Sequence, residues 1–83
     1  MIYYQIQIHQ EILQVKRLSL TVPLFKILHA EGSMEIYRNK YSGHWSTLFR
    51  SNPNDNHSAP VMGPSIERFY SQILIPVYPF NTI

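Results

Sequence analysis

The chain has 83 residues, with seven Lys/Arg against five Asp/Glu and a formal net charge of +2. That length allows one domain, and a hydrophobic fraction of 45% with only 14% charged residues argues against an intrinsically disordered chain. The absence of cysteine excludes disulfides and thiolate metal sites, and the low charge leaves little to oppose self-association.

Residues 2–8 place Ile2, Tyr4, Ile6 and Ile8 on one face and Tyr3, Gln5 and Gln7 on the other. That period of two predicts a half-buried strand. A second strand is expected over 13–22, where Leu18, Leu20 and Val22 alternate with Ser19 and Thr21, after a turn near His9–Glu11. No Gly or Asn marks this turn, although tight hairpins favour them. Thr21 and Pro23 then resemble a helix start, Leu24, Ile27 and Leu28 fall on one helical face, and Gly32 is placed to end the element. The expectation is a short helix over 23–31, docked on the strands because it cannot be stable alone.

From Met34 the pattern returns to alternation. Met34, Ile36 and Arg38, then the turn residues Asn39–Gly43, then Trp45, Thr47 and Phe49 predict a β-hairpin. The competing arrangement is a helix over 34–41 capped by Ser33. On the hairpin, parity assigns Trp45 and Phe49 to the core side. Residues 51–64, SNPNDNHSAPVMGP, read as a long polar loop. Ser65 can cap a helix in which Ile66, Phe69, Tyr70 and Ile73 share a face. Residues 76–83 form an extended tail, since Pro76 and Pro79 disfavour helix for the residues before them. Residues 1–83 thus read as a single small α+β domain: an N-terminal β pair, a short helix, a central β-hairpin and a C-terminal amphipathic helix.

Met34–Arg50 accounts for the whole net charge, because Arg38, Lys40 and Arg50 outweigh Glu35 by two. Tyr37, Tyr41, Trp45 and Phe49 could offer stacking faces to nucleic-acid bases while the cations meet phosphate. Strand alternation separates those rings from those cations, however, and the net charge is small for such a role. The histidines His9, His29, His44 and His57 are 20, 15 and 13 residues apart, so none has common zinc-site spacing. A metal site would have to be assembled entirely by tertiary structure, and no metal or cofactor is expected.

Ser42 and Ser46 flank His44, but the sequence contains no nucleophile elbow, P-loop or dinucleotide fingerprint. An enzyme is therefore not expected. The expectation is a non-enzymatic protein-interaction or assembly module, engaging a protein partner or a second copy. Its candidate contact residues are Arg38, Lys40 and Tyr41 at the turn, with Tyr78 and Phe80 in the tail. A small nucleic-acid-binding module built on the basic-aromatic hairpin is the alternative. The N-terminus lacks the pattern of a secretory signal, and the longest uncharged run, 69–83, is too short to span a bilayer. A cytoplasmic protein is expected, and an organellar or viral setting is compatible with the same features.

Overall fold

The computed structural model describes residues 2–74. Five strands run in sequence order and pair antiparallel with their chain neighbours: β1 (Tyr4–Ile8), β2 (Glu11–Arg17), β3 (Leu24–His29), β4 (Gly32–Arg38) and β5 (Trp45–Arg50). One helix, α1 (Ala59–Leu74), covers one face of the sheet. The described residues thus form a sheet with a helix on one side. None of their helices is long and apolar enough to cross a membrane.

Alternation generates the core directly. Ile6 and Ile8, Leu13 and Val15, Phe25 and Ile27, and Met34 and Ile36 point to one face, where α1 adds Ala59, Met62, Ile66 and Tyr70. Tyr4, Trp45, Phe69 and Ile73 pack partly buried around them. Each fully buried Leu, Ile or Phe contributes about 1.5–3 kcal/mol, which is how five short strands and one helix hold together.

The N-terminal β pair forms, with its second strand at Glu11–Arg17 rather than 13–22. Its turn uses His9 and Gln10, both in the left-handed region at φ 51° and 67°. Those two positive φ values match the right-handed twist of the flanking strands, so the hairpin closes without Gly or Asn at a conformational cost.

The expected helix over 23–31 is instead β3. Six residues of Leu24–His29 fit both periods, but neighbours on each side decide the outcome. Val15 faces Ile27 and Arg17 faces Phe25 on β2, while Phe25 faces Ile36 and Ile27 faces Met34 on β4. As a strand the segment fills the middle of the sheet and satisfies its backbone on both sides. Gly32 ends a tight turn to β4 at φ 139°, where Ser51 would also obstruct a side chain.

The central hairpin forms as expected, and the helix over 34–41 does not. One detail differs: Ile36 pairs with Thr47 but Glu35 with Phe49, so Leu48 is an extra residue on β5. The bulge reverses parity beyond it. Trp45 remains against the core, whereas Phe49 turns to the opposite face and is 48% exposed. Its assignment to the core side is therefore corrected.

The loop after β5 is also shorter than 51–64. The helix begins at Ala59, where Ser58 O accepts the N–H groups of Val61 and Met62 at 3.1 and 3.0 Å. Pro60 and Pro64 are exposed, so water can serve the carbonyl that Pro64 leaves without an N–H partner. Gly63 is buried against the Trp45 indole, and a β-carbon there would overlap the ring. Of the residues that look like breakers, Gly63 permits close helix–sheet approach and the two prolines face solvent. The expected face of Ile66, Phe69, Tyr70 and Ile73 does meet the core.

Candidate functional site

The apolar inner face does not extend to the whole sheet. At the end carrying the β1–β2 and β3–β4 turns, strand parity continues from Leu13 to Glu11 and from Ile27 to His29, with Arg50 following on β5. Helix α1 starts too late to cover these polar positions. The segment between β5 and α1 covers them instead.

That segment is fastened by its backbone. Ser51 N donates to Ser33 O at 2.9 Å, and Ser33 N donates to Ser51 Oγ at 2.8 Å. Asn52 Nδ2 reaches Glu31 O at 3.3 Å, and Asp55 N donates to Asn52 O at 3.0 Å. His57 N then donates to Asp55 Oδ1 at 2.9 Å, a local turn that holds the carboxylate beside the His57 ring.

His57 lies between two carboxylates. Its Nδ1 makes a short contact with Asp55 Oδ1, and its Nε2 is 2.8 and 2.9 Å from the two Glu11 oxygens. Glu31 Oε1 is 3.8 Å from Nδ1. A ring with carboxylates at both nitrogens donates to both only as an imidazolium. Burial alone would lower its pKa; the hydrogen bonds to Asp55 and Glu11 and their charges outweigh that and hold it above 6.5. Burial likewise pushes Asp55 up, but hydrogen bonds from the His57 backbone and ring, with the electrostatic attraction of the His29 and His57 rings, bring it below 3.8.

His29 stacks on His57 with centroids 4.1 Å apart. Its Nδ1 accepts the Glu31 N–H at 3.1 Å, which places the ring proton on Nε2. That Nε2 approaches Asp55 Oδ2 to 2.8 Å, and both side chains are 0% exposed. The approach is not aligned as a hydrogen bond, so neither atom has a well-directed partner. Arg50 Nη1 lies 3.8 Å from the same Oδ2 and donates to Asp55 O at 3.2 Å. Three carboxylates, two imidazoles and a guanidinium thus meet at one end of the sheet. Beside them is a cavity of about 200 Å³ whose lining includes Ile8, Glu11, His57 and Met62.

The residues expected to bind a partner are placed elsewhere. Arg38 ends β4 on the inner face and is fixed to Glu67 of α1: Nη2 donates to Oε2 at 2.8 Å and Nε donates to Oε1 at 3.1 Å. It therefore clasps the helix to the sheet. Lys40 and Tyr41 lie on the exposed turn, with Tyr41 89% exposed and the Lys40 ammonium 5.4 Å from its ring centroid. Asn39 Oδ1 accepts the N–H groups of Tyr41 and Ser42 and shapes that turn. Tyr78, Phe80 and the 76–83 tail lie outside the described residues.

Comparison with known protein families, with curated proteins and with solved structures finds no match.

Glu11, His29, Glu31, Asp55 and His57 were not singled out by spacing, since 46 positions separate Glu11 from His57. One signal was available. A polar residue that continues the apolar parity of a strand, as Glu11 and His29 do, faces the covered side of the sheet, where the His29 side chain is fully buried and that of Glu11 is half-buried. Reading 23–31 as a helix removed that parity for His29. Chemically, the cluster can hold a proton or a small cation between carboxylates.

Proposed function

We propose that this protein is a non-enzymatic assembly module that extends its sheet through β1, with a second copy of the chain as the partner. The observation that carries the reading is the contrast between the two sheet edges. Edge β5 contains the Leu48 bulge and ends at Arg50, features that discourage strand addition. Edge β1, YQIQI, has no charge, proline or bulge, and among the described residues nothing pairs with its outer side.

Its backbone has the required direction. A two-residue turn closes on a hydrogen-bonded Ile8–Glu11 pair, so Tyr4, Ile6 and Ile8 bond inward to β2. Gln5 and Gln7 then direct their N–H and C=O groups outward, ready for an antiparallel partner. Two copies paired about Ile6 would form one continuous ten-stranded sheet, with glutamines opposed across the seam. A five-residue seam is small against the roughly 1,200 Å² of a stable complex, so the association is concentration-dependent. The nucleic-acid alternative has less support, because Glu67 occupies Arg38 and leaves Lys40 beside Tyr41 at the turn.

Sedimentation equilibrium from micromolar to millimolar chain tests the reading. The wild type should shift from monomer to dimer. Gln5→Pro, which removes an outward N–H while sparing the β2 pairing, should remain monomeric with an unchanged circular-dichroism spectrum. A Gln5→Lys/Gln7→Lys chain should also remain monomeric. A wild type monomeric throughout, or a dimer that survives both changes, overturns the proposal.

A further inference from the structure

We propose that Glu31, Asp55 and His57 form a binding site for a first-row divalent cation of the zinc class, with Glu11 and His29 orienting the ligands. The site is independent of the β1 edge. His57 Nδ1, Asp55 Oδ1 and Glu31 Oε1 converge from a loop and a turn, and the candidate ligand atoms of this cluster lie within 4.8 Å of one another. Bonds of about 2.0–2.2 Å in a tetrahedron separate ligand atoms by about 3.3–3.6 Å. Reaching that spacing requires the short Asp55–His57 contact to open by roughly 1 Å, exchanging its hydrogen bond for two metal bonds, and Glu31, now 3.8 Å from Nδ1, to close by a few tenths of an ångström. The Glu31 side chain is 57% exposed and has room to do so.

The surroundings distinguish a cation site from a simple charge pin. A metal-bound imidazole usually donates its other N–H to a carboxylate, which fixes its tautomer and raises its basicity. His57 Nε2 is already 2.8 Å from Glu11. Asp55 is held too: its side chain is 0% exposed, and Oδ2 faces the interior with no aligned donor. His29 Nε2 at 2.8 Å and Arg50 Nη1 at 3.8 Å lie on the Oδ2 side and hold the carboxylate in place, which leaves Oδ1 as the oxygen directed at His57. His29 is not itself a ligand, because its Nδ1 accepts the Glu31 N–H and its proton is therefore on Nε2. It supports Asp55 from the far side.

Charge balance agrees. Glu11, Glu31 and Asp55 oppose Arg50, and an imidazolium at His57 leaves this group at −1. A divalent cation bound to a neutral imidazole leaves it at zero. The donor set of one nitrogen and two carboxylates suits zinc, manganese or iron better than calcium or magnesium, which prefer oxygen alone. Three protein ligands leave the fourth position to water.

Equilibrium dialysis of the full chain against Zn(II), after treatment with chelator, tests the site, with Co(II) absorption as the report on geometry. One Zn(II) per chain and visible Co(II) bands of four-coordinate strength are expected. Glu31→Gln, on an exposed side chain, should weaken binding at least ~10-fold without altering the circular-dichroism spectrum, and Glu11→Gln should weaken it about 10–100-fold. His44→Gln, on the exposed turn side, should leave binding unchanged. Failure to retain Zn(II) at micromolar concentration overturns the proposal. So does equal retention by Glu31→Gln and His57→Gln, or displacement of Zn(II) by millimolar Mg(II) or Ca(II).

Discussion

Gly63→Ala tests how α1 sits on the sheet, because its effect should change sign with the residue at position 45. In an exposed helix the change would stabilise the protein by about 0.5–1 kcal/mol, as alanine loses less backbone freedom than glycine. Here the new β-carbon would overlap three ring carbons of Trp45. Restoring carbon–carbon separations of about 3.5–4.0 Å requires the indole and the helix to part by roughly 1.5–2 Å. Trp45 cannot move freely, since its ring is 6.1 Å from Phe25 in the core and its backbone pairs with Arg38. Overpacking of this kind costs about 1–3 kcal/mol, and at the upper end it outweighs the propensity gain. The expected net loss is about 1–2 kcal/mol, or roughly 4–16 °C in Tm for a domain of this size. Replacing Trp45 with leucine removes the obstruction, so Gly63→Ala in that background should stabilise by about 0.5–1 kcal/mol. Urea melts followed by far-UV circular dichroism serve all four proteins of the cycle, including those lacking tryptophan. The same sign in both backgrounds refutes the reasoning.

Two further outcomes follow from the turn and the cluster. His9→Asn combined with Gln10→Gly should stabilise by about 1 kcal/mol, since each left-handed non-glycine residue costs roughly 1–2 kcal/mol and glycine returns part of that as unfolded-state entropy. An unchanged or lower urea midpoint would count against the strained-turn account. For the metal-free chain in chelator, His57 faces Asp55, Glu11 and Glu31 and stacks on His29, while Arg50 faces Asp55. Its folded pKa is raised, so its contribution is complete below about pH 6.5 and is lost as pH rises through the folded value. Asp55 is lowered, so its contribution is present above about pH 3.8 and is lost as pH falls through the folded value. Chemical denaturation across pH should therefore show a decline on the alkaline side that His57→Gln flattens. An identical slope in the variant would exclude His57 as its source.

Sequence by itself determined whatever depends on neighbours along one chain segment. The alternation of Tyr4, Ile6 and Ile8 made β1, Met34, Ile36 and Trp45 made the central hairpin, and Ile66 with Tyr70 marked the buried stripe of α1. Such patterns are legible because a period of two or 3.6 is imposed by local backbone geometry. Tertiary structure decided the rest. Leu24–His29 is compatible with both periods, and only the presence of β2 and β4 on its two sides makes it a strand. Leu48 becomes a bulge because β5 must satisfy partners on β4, and that one residue moves Phe49 to the exposed face. Pro60, Gly63 and Pro64 look like breakers until Trp45 is seen lying against Gly63. The cluster of Glu11, His29, Glu31, Asp55 and His57 depends on three separate segments. No spacing in the chain could announce it, because strand registers and the returning loop, rather than local geometry, bring its charges to one place.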